Sequence, residues 1–202
     1  MQFSHYLQEA VSKGEVVNLV FEERLFNLVG ILQKIAGPFA DAAIPYEVVG
    51  GLAVLIHVEE ADPTHTVLTR DVDILLSRSD LQRAIVAAET QGFRFRHVAG
   101  VDMLLYDDKT VNAVHLLFSD EKVKAAQATP HPPVAPEHKT VQGQQIPVIP
   151  VADLVRMKLS ANRDKDRVHL RSLDAAGLIT PEIERELPDL LRDRLRWLRK
   201  TE

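Results

Sequence analysis

Two glycines and two aspartates constrain this chain most. Val49-Gly50-Gly51-Leu52-Ala53 reads as a glycine turn feeding a helix, and Thr69-Arg70-Asp71-Val72-Asp73-Ile74-Leu75-Leu76 as a strand that opens with two carboxylates. Residues two apart on a strand share a face, so Asp71 and Asp73 aim together while Val72 and Ile74 pack behind them. A helix N-terminus approached through two glycines leaves free backbone N–H groups, which suit phosphate oxygens. Two same-facing carboxylates beside such a cradle call for a hard cation with oxygen ligands, and Mg²⁺ carried by a nucleotide fits best.

The flanking pattern predicts a mixed α/β domain. Phe3, Tyr6, Leu7, Ala10 and Val11 recur at helical spacing, ending at Ser12-Lys13-Gly14. Leu25, Leu28, Val29, Leu32 and Ile35 form the stripe of a second helix, with Gly37-Pro38 as its stop. Pro45 to Val49 is a strand, and the helix from Leu52 to Val58 is closed by His57, a polar end residue rather than a contact near a nucleotide. Another helix is predicted from Asp80 to Ala88, capped by Ser79 or Asp80. A hairpin follows (Phe93 to Val98, Val101 to Tyr106), then a strand from Val111 to Phe118. Proline-rich Thr129–Pro136 reads as an extended connection, with His131 and His138 in a solvated loop, and Gln145 to Ile149 as an edge strand. Strands followed by helices on one side place residues 1–150 in an α/β core, with residues 151–202 as a helical part packed on it.

That C-terminal part carries the basic residues. Val151 to Asn162 is a helix with Val151, Leu154, Val155 and Leu159 inward. From Arg156 to Arg171 six Lys or Arg (Arg156, Lys158, Arg163, Lys165, Arg167, Arg171) stand against Asp164 and Asp166, a local excess of +4 in a chain of net charge −5. The tail from Glu182 to Lys200 reads as two short helices broken near Pro188. Leu191, Leu195 and Leu198 lie beside Arg192, Arg194, Arg196, Arg199 and Lys200. A packing helix is the reading kept, with an RNA contact as its rival.

With no cysteine, disulfides, thiolate metal sites and thiol chemistry are excluded. No apolar run is long enough to span a bilayer, and the N-terminus lacks a signal-peptide layout, so a cytoplasmic protein is expected. The acidic net charge argues against general nucleic-acid coating.

Gly50-Gly51-Leu52-Ala53, His57, Thr69-Arg70-Asp71-Val72-Asp73 and the later Lys158, Arg163, Lys165 and Asp166 together resemble the nucleotidyltransferase superfamily that includes DNA polymerase β. Within it they look like the toxin-type nucleotidyltransferases of abortive-infection systems. The resemblance runs from about Tyr46 to Leu173. It implies a nucleotidyltransferase fold and Mg²⁺-dependent transfer of a nucleoside monophosphate from an NTP to a hydroxyl on RNA or protein. An antitoxin-like protein partner is implied too. By the same resemblance Asp71 and Asp73 hold the metal, Gly50 and Gly51 cradle phosphate, and Lys158 and Arg163 neutralise the triphosphate. Arg70 is a further candidate phosphate contact, with a solvated or ion-paired arginine as its alternative. Two positions depart from the pattern: His115 stands where a third carboxylate is usual, and His169 where Asp is common. Either His115 replaces the carboxylate as general base, or the chain is a regulatory protein that binds nucleotide without efficient transfer. Asp102, Asn112 and Asp120 are candidate substitutes for coordination.

Overall fold

The computed structural model describes residues 24–107 and 113–201. The predicted helix at Phe3–Val11 lies outside them. The chain enters on helix α1 (24–41), whose buried Leu28, Val29, Leu32, Ile35 and Phe39 follow the expected stripe. The stop predicted at Gly37-Pro38 does not occur. Phe39 is fully buried and packs edge-on against Tyr46 with ring centroids 5.3 Å apart, so tertiary contact outweighs the penalty of about 3 kcal/mol for an internal proline. The helix ends instead at Ala43, in the left-handed region at φ 48°, with the Ile44 N–H donating back to the Phe39 carbonyl.

One seven-stranded mixed sheet follows, with spatial order β3-β4-β5-β2-β1-β7-β6. Strand β1 (Tyr46–Val49) leads into α2 (Gly50–Ala61), which is buried from Gly51 to Val58. Strand β2 (Val72–Leu76), helix α3 (Leu81–Glu89) and the hairpin β3 (Phe93–Val98) and β4 (Val101–Tyr106) come next, then β5 (Ala113–Phe118). Asp80 stands at the head of α3 without capping it; its carboxylate accepts from Arg83 instead. β2 runs antiparallel to β1 but parallel to β5, which places Asp73 directly beside His115 at the centre of the sheet.

Residues 130–136 form the extended connection expected of the prolines. Beyond it the sequence reading needs correction. A strand at Glu137–Val141 (β6) pairs antiparallel with β7 (Gln144–Val148), so β7 is interior, between β1 and β6, and not the edge. The two-residue link Gln142-Gly143 has φ of 49° and 76°, the primed-turn geometry that matches strand twist.

Four helices complete the described chain: α4 (Val151–Ala161), α5 (Asp164–Ala175), α6 (Pro181–Glu186) and α7 (Asp189–Lys200). Leu191, Leu195 and Leu198 of α7 are buried, as the packing reading requires. Its arginines serve the same end. Arg194 donates to the Leu159 and Ser160 carbonyls at the end of α4, and Arg192 to the Glu184, Arg185 and Leu187 carbonyls around the end of α6. Arg196 and Arg199 pair with Glu184, and Arg199 also with Asp174. The tail arginines therefore cap helices and bind neighbouring carboxylates. Among the described residues no helix is long and apolar enough to cross a membrane.

Candidate active site

The glycine turn and the carboxylates meet. Gly50 adopts φ +71°, and a Cβ there would lie 1.9 Å from Asp73 Oδ2, so the Asp73 carboxylate occupies the space where any other residue would carry its side chain. A Cβ on Gly51 would lie 2.5 Å from Thr69 Oγ1 and 3.3 Å from His169 Cε1. Among the described residues no side chain caps the N-terminus of α2 and no acid lies in its first turn, which leaves its leading N–H groups for an outside acceptor.

A cavity of about 440 Å³ opens at this point, within the usual size range of small-molecule sites. It is lined by Gly50, Asp71, Asp73 and His115 from the sheet side, and by Lys158, Arg163, Lys165 and Asp166 from α4, α5 and their junction. Arg70 is not part of it. It lines a separate groove with Val72, and both Arg70 and Asp71 lie just ahead of β2, not in it as the sequence reading has them. His57 is also elsewhere, and it does not close its helix: buried within α2, it bonds the Ile149 carbonyl at 2.7 Å.

His115 Nδ1 donates to Asp73 Oδ1 across 3.0 Å. That hydrogen bond, together with the charges of Asp73 and Asp71, raises the imidazole pKa above its ordinary value against the opposing effects of burial and Lys165. On the opposite wall Asp166, at the third position of α5, accepts from the Arg163 backbone N–H at 3.2 Å and from Arg163 Nε at 2.7 Å. Its other oxygen accepts from Lys158 Nζ at 3.2 Å and the Arg163 guanidinium at 3.3 Å. Lys158 Nζ also lies 3.1 Å from His169 Nδ1. Burial lowers the Lys158 pKa, with Asp166 and Asp73 pulling the other way. Burial, then the Lys158 charge, push His169 down to about 4, so its ring is neutral near pH 7.

Several lining residues escaped the sequence reading. Arg78 binds both Asp102 at 2.8 Å and Glu121 at 2.7 Å, with its guanidinium 3.3 Å from the Phe118 ring centroid. Phe118 ends a strand partnered with β2, so a cation just beyond Leu76 was the available signal. Asp102 lines the cavity, but its oxygens are engaged by His97 and Arg78, which removes it as a substitute metal ligand. Asp120 sits in the turn after β5 away from the cavity lining, and Asn112 lies outside the described residues. His131 is buried against the Phe118 carbonyl at 3.1 Å rather than solvated.

Among the described residues no group of three or more His, Asp or Glu is arranged to hold a metal. Asp71 and Asp73 are two carboxylates opening on one cavity, and such a pair suits Mg²⁺ when phosphate oxygens and water supply the remaining ligands. On that donor chemistry the residues fit the ion.

No protein-family model matches this sequence, and no curated protein does. Solved structures do. An antigenic nucleotidyltransferase-like protein from Paracoccidioides brasiliensis is 16% identical, with a TM-score of 0.53 and 89% of each chain covered. The Megavirus polyadenylate synthase is 10% identical at a TM-score of 0.50; the match covers 89% of this chain and 39% of that one. The antibiotic-resistance factor ANT(2'')-Ia aligns over 86% of this chain and 83% of its own, at 12% identity and a TM-score of 0.47. The fold is that of the nucleotidyltransferases.

Proposed function

We propose that this protein transfers a nucleoside monophosphate from an NTP to a hydroxyl acceptor and releases pyrophosphate. The reading is carried by one observation: the space left by Gly50 is filled by Asp73, so phosphate cradle and carboxylate pair form one wall of a cavity whose other wall carries Lys158 and Arg163. Asp71 and Asp73 would hold Mg²⁺, which would screen the triphosphate and polarise the phosphoryl group. The α2 N-terminus at Gly50 and Gly51 would donate to phosphate oxygens. Lys158 and Arg163 would offset charge that builds on the leaving pyrophosphate. His115 would take the acceptor proton on Nε2 of its neutral ring while Nδ1–H stays bonded to Asp73. An RNA or protein acceptor, a toxin-like role and an antitoxin-like partner rest on the sequence resemblance alone.

A specific observation favours the rival reading, nucleotide binding without turnover. An imidazole that holds its proton tightly against Asp73 competes with a metal for that carboxylate, and a smaller fraction of it is neutral and free to accept a proton near pH 7. The experiment is calorimetric titration of each NTP with Mg²⁺ into wild type and an Asp71→Ala/Asp73→Ala variant, with pyrophosphate release followed in parallel across RNA and protein acceptors. Transfer predicts acceptor-dependent release that falls at least about a hundredfold in the variant. Binding that is lost in the variant, with no release for any acceptor, establishes the regulatory reading. No binding at all refutes both.

A further inference from the structure

Lys158 is a buried cation, only 5% exposed, and an ammonium in that position needs partners that offset its lost hydration. Asp166 is its charged partner, but a divided one. The carboxylate takes three contacts from Arg163, the shortest at 2.7 Å, and only one from Lys158, at 3.2 Å. The second acceptor for Lys158 is His169 Nδ1 at 3.1 Å. For that nitrogen to accept, the ring proton must sit on Nε2, so His169 is neutral and of fixed tautomer. Its ring also borders the open side of Gly51, with Cε1 3.3 Å from where a Cβ would stand. One imidazole thus touches the lysine and occupies the space beside the glycine turn.

Charge counting gives this contact its meaning. Lys158 and Arg163 carry two positive charges, Asp166 cancels one, and a neutral His169 cancels none. The cluster, buried at Lys158, Asp166 and His169 and exposed at Arg163, keeps one net positive charge on its wall of the cavity. A carboxylate at position 169 would satisfy the same ammonium proton and bring the cluster to zero.

We propose that His169 is a positioning residue: it fixes the Lys158 ammonium through Nδ1 without neutralising it, and so leaves one uncompensated positive charge for a polyphosphate chain. The proposal rests on the nucleotidyl-transfer reading of the cavity. It concerns how the polyphosphate is held, and it extends to any ligand that presents a tri- or diphosphate.

The test uses the full chain and inorganic tripolyphosphate without added metal, so that Asp71 and Asp73 contribute no bridging ion. Binding is measured by calorimetry for wild type, His169→Asn, His169→Asp and His169→Leu, each first shown to be folded by circular dichroism and urea unfolding. Asn offers a neutral oxygen acceptor and should bind within about threefold of wild type. Asp keeps the acceptor but cancels the charge, and should bind roughly tenfold more weakly. The deficit of Asp relative to Asn should shrink as ionic strength rises. A merely structural role would rank the variants by their stability instead. As a second readout, the Lys158 ammonium resonance in ¹⁵N-edited NMR should persist to higher pH in wild type and His169→Asn than in His169→Leu. Equal tripolyphosphate affinity for Asn and Asp, or an ammonium signal indifferent to Leu, overturns the proposal. Failure of wild type itself to bind tripolyphosphate, with Mg²⁺ added as well as without it, overturns the cavity reading on which it rests.

Discussion

Replacing Gly50 by alanine should damage the protein in two separable ways. A non-glycine residue held at φ +71° carries a backbone penalty of about 1–2 kcal/mol. The added methyl would also stand 1.9 Å from Asp73 Oδ2 and 2.9 Å from Asp73 Cβ, so the carboxylate must move by more than an ångström. Asp73 is paired in register with Val49 and His115 on its two neighbours, so the backbone beneath it has no freedom to retreat. Overpacking of this kind costs about 1–3 kcal/mol, giving roughly 2–5 kcal/mol in all. A double-mutant cycle separates the parts. In an Asp73→Ala background the carboxylate clash is gone and only the 2.9 Å contact with the Cβ at position 73 remains, so Gly50→Ala should cost little more than the backbone share and urea unfolding should show a coupling energy of about 1–3 kcal/mol. Coupling below about 0.5 kcal/mol, the scatter expected of independent sites, would refute the claim that Asp73 fills the glycine's space.

Other outcomes follow from the buried polar groups. Burial pushes the Glu47 carboxyl from 4.5 up to about 7, opposed by a hydrogen bond from the Ala135 N–H, and among the described residues its Oε1 has no partner. Because the unfolded chain ionises first, the stability penalty is absent below pH 4.5 and complete above 7. Wild type should therefore lose about 3 kcal/mol relative to Glu47→Gln over that window, and parallel urea-unfolding curves would count against it. His57→Leu leaves the buried Ile149 carbonyl without its 2.7 Å donor and should lower unfolding free energy by about 1–3 kcal/mol. If His115 is the base, pyrophosphate release should rise with pH through a midpoint above the ordinary imidazole value of 6.5, and His115→Ala should flatten the profile. A rate that falls across neutral pH would exclude that role.

The parts of this structure legible in the sequence are those set by local rules. Alternation put Asp71 and Asp73 on one face, and the β3–β4 hairpin lies where Phe93–Val98 and Val101–Tyr106 predict it. Arg70 lies ahead of β2, which opens only at Val72, and its place in a separate groove with Val72 was not given by a local rule. Strand β6 was illegible because none of its five side chains is buried: Glu-His-Lys-Thr-Val has no apolar face, and its pairing with β7 alone makes it a strand. The Gly37-Pro38 stop failed because a buried aromatic lies beyond it, a long-range fact that no window of sequence contains. Lys158, Asp166 and His169 were each singled out by the resemblance, but their contacts with one another were not legible. That one aspartate serves two cations while a histidine serves the lysine depends on how α4 turns into α5, through Asn162 in the left-handed region at φ 50°.

The parallel pairing of β2 with β5 also bears on the history open to this protein. Backbone register, not side-chain chemistry, puts position 115 beside Asp73. Both histidine codons become aspartate codons by a single first-base change, and the smaller side chain would require no shift of either strand. A lineage bearing this sequence therefore stands one point mutation from a centre with three carboxylates. Selection for faster or slower chemistry could act at that position while leaving the architecture that supports it untouched.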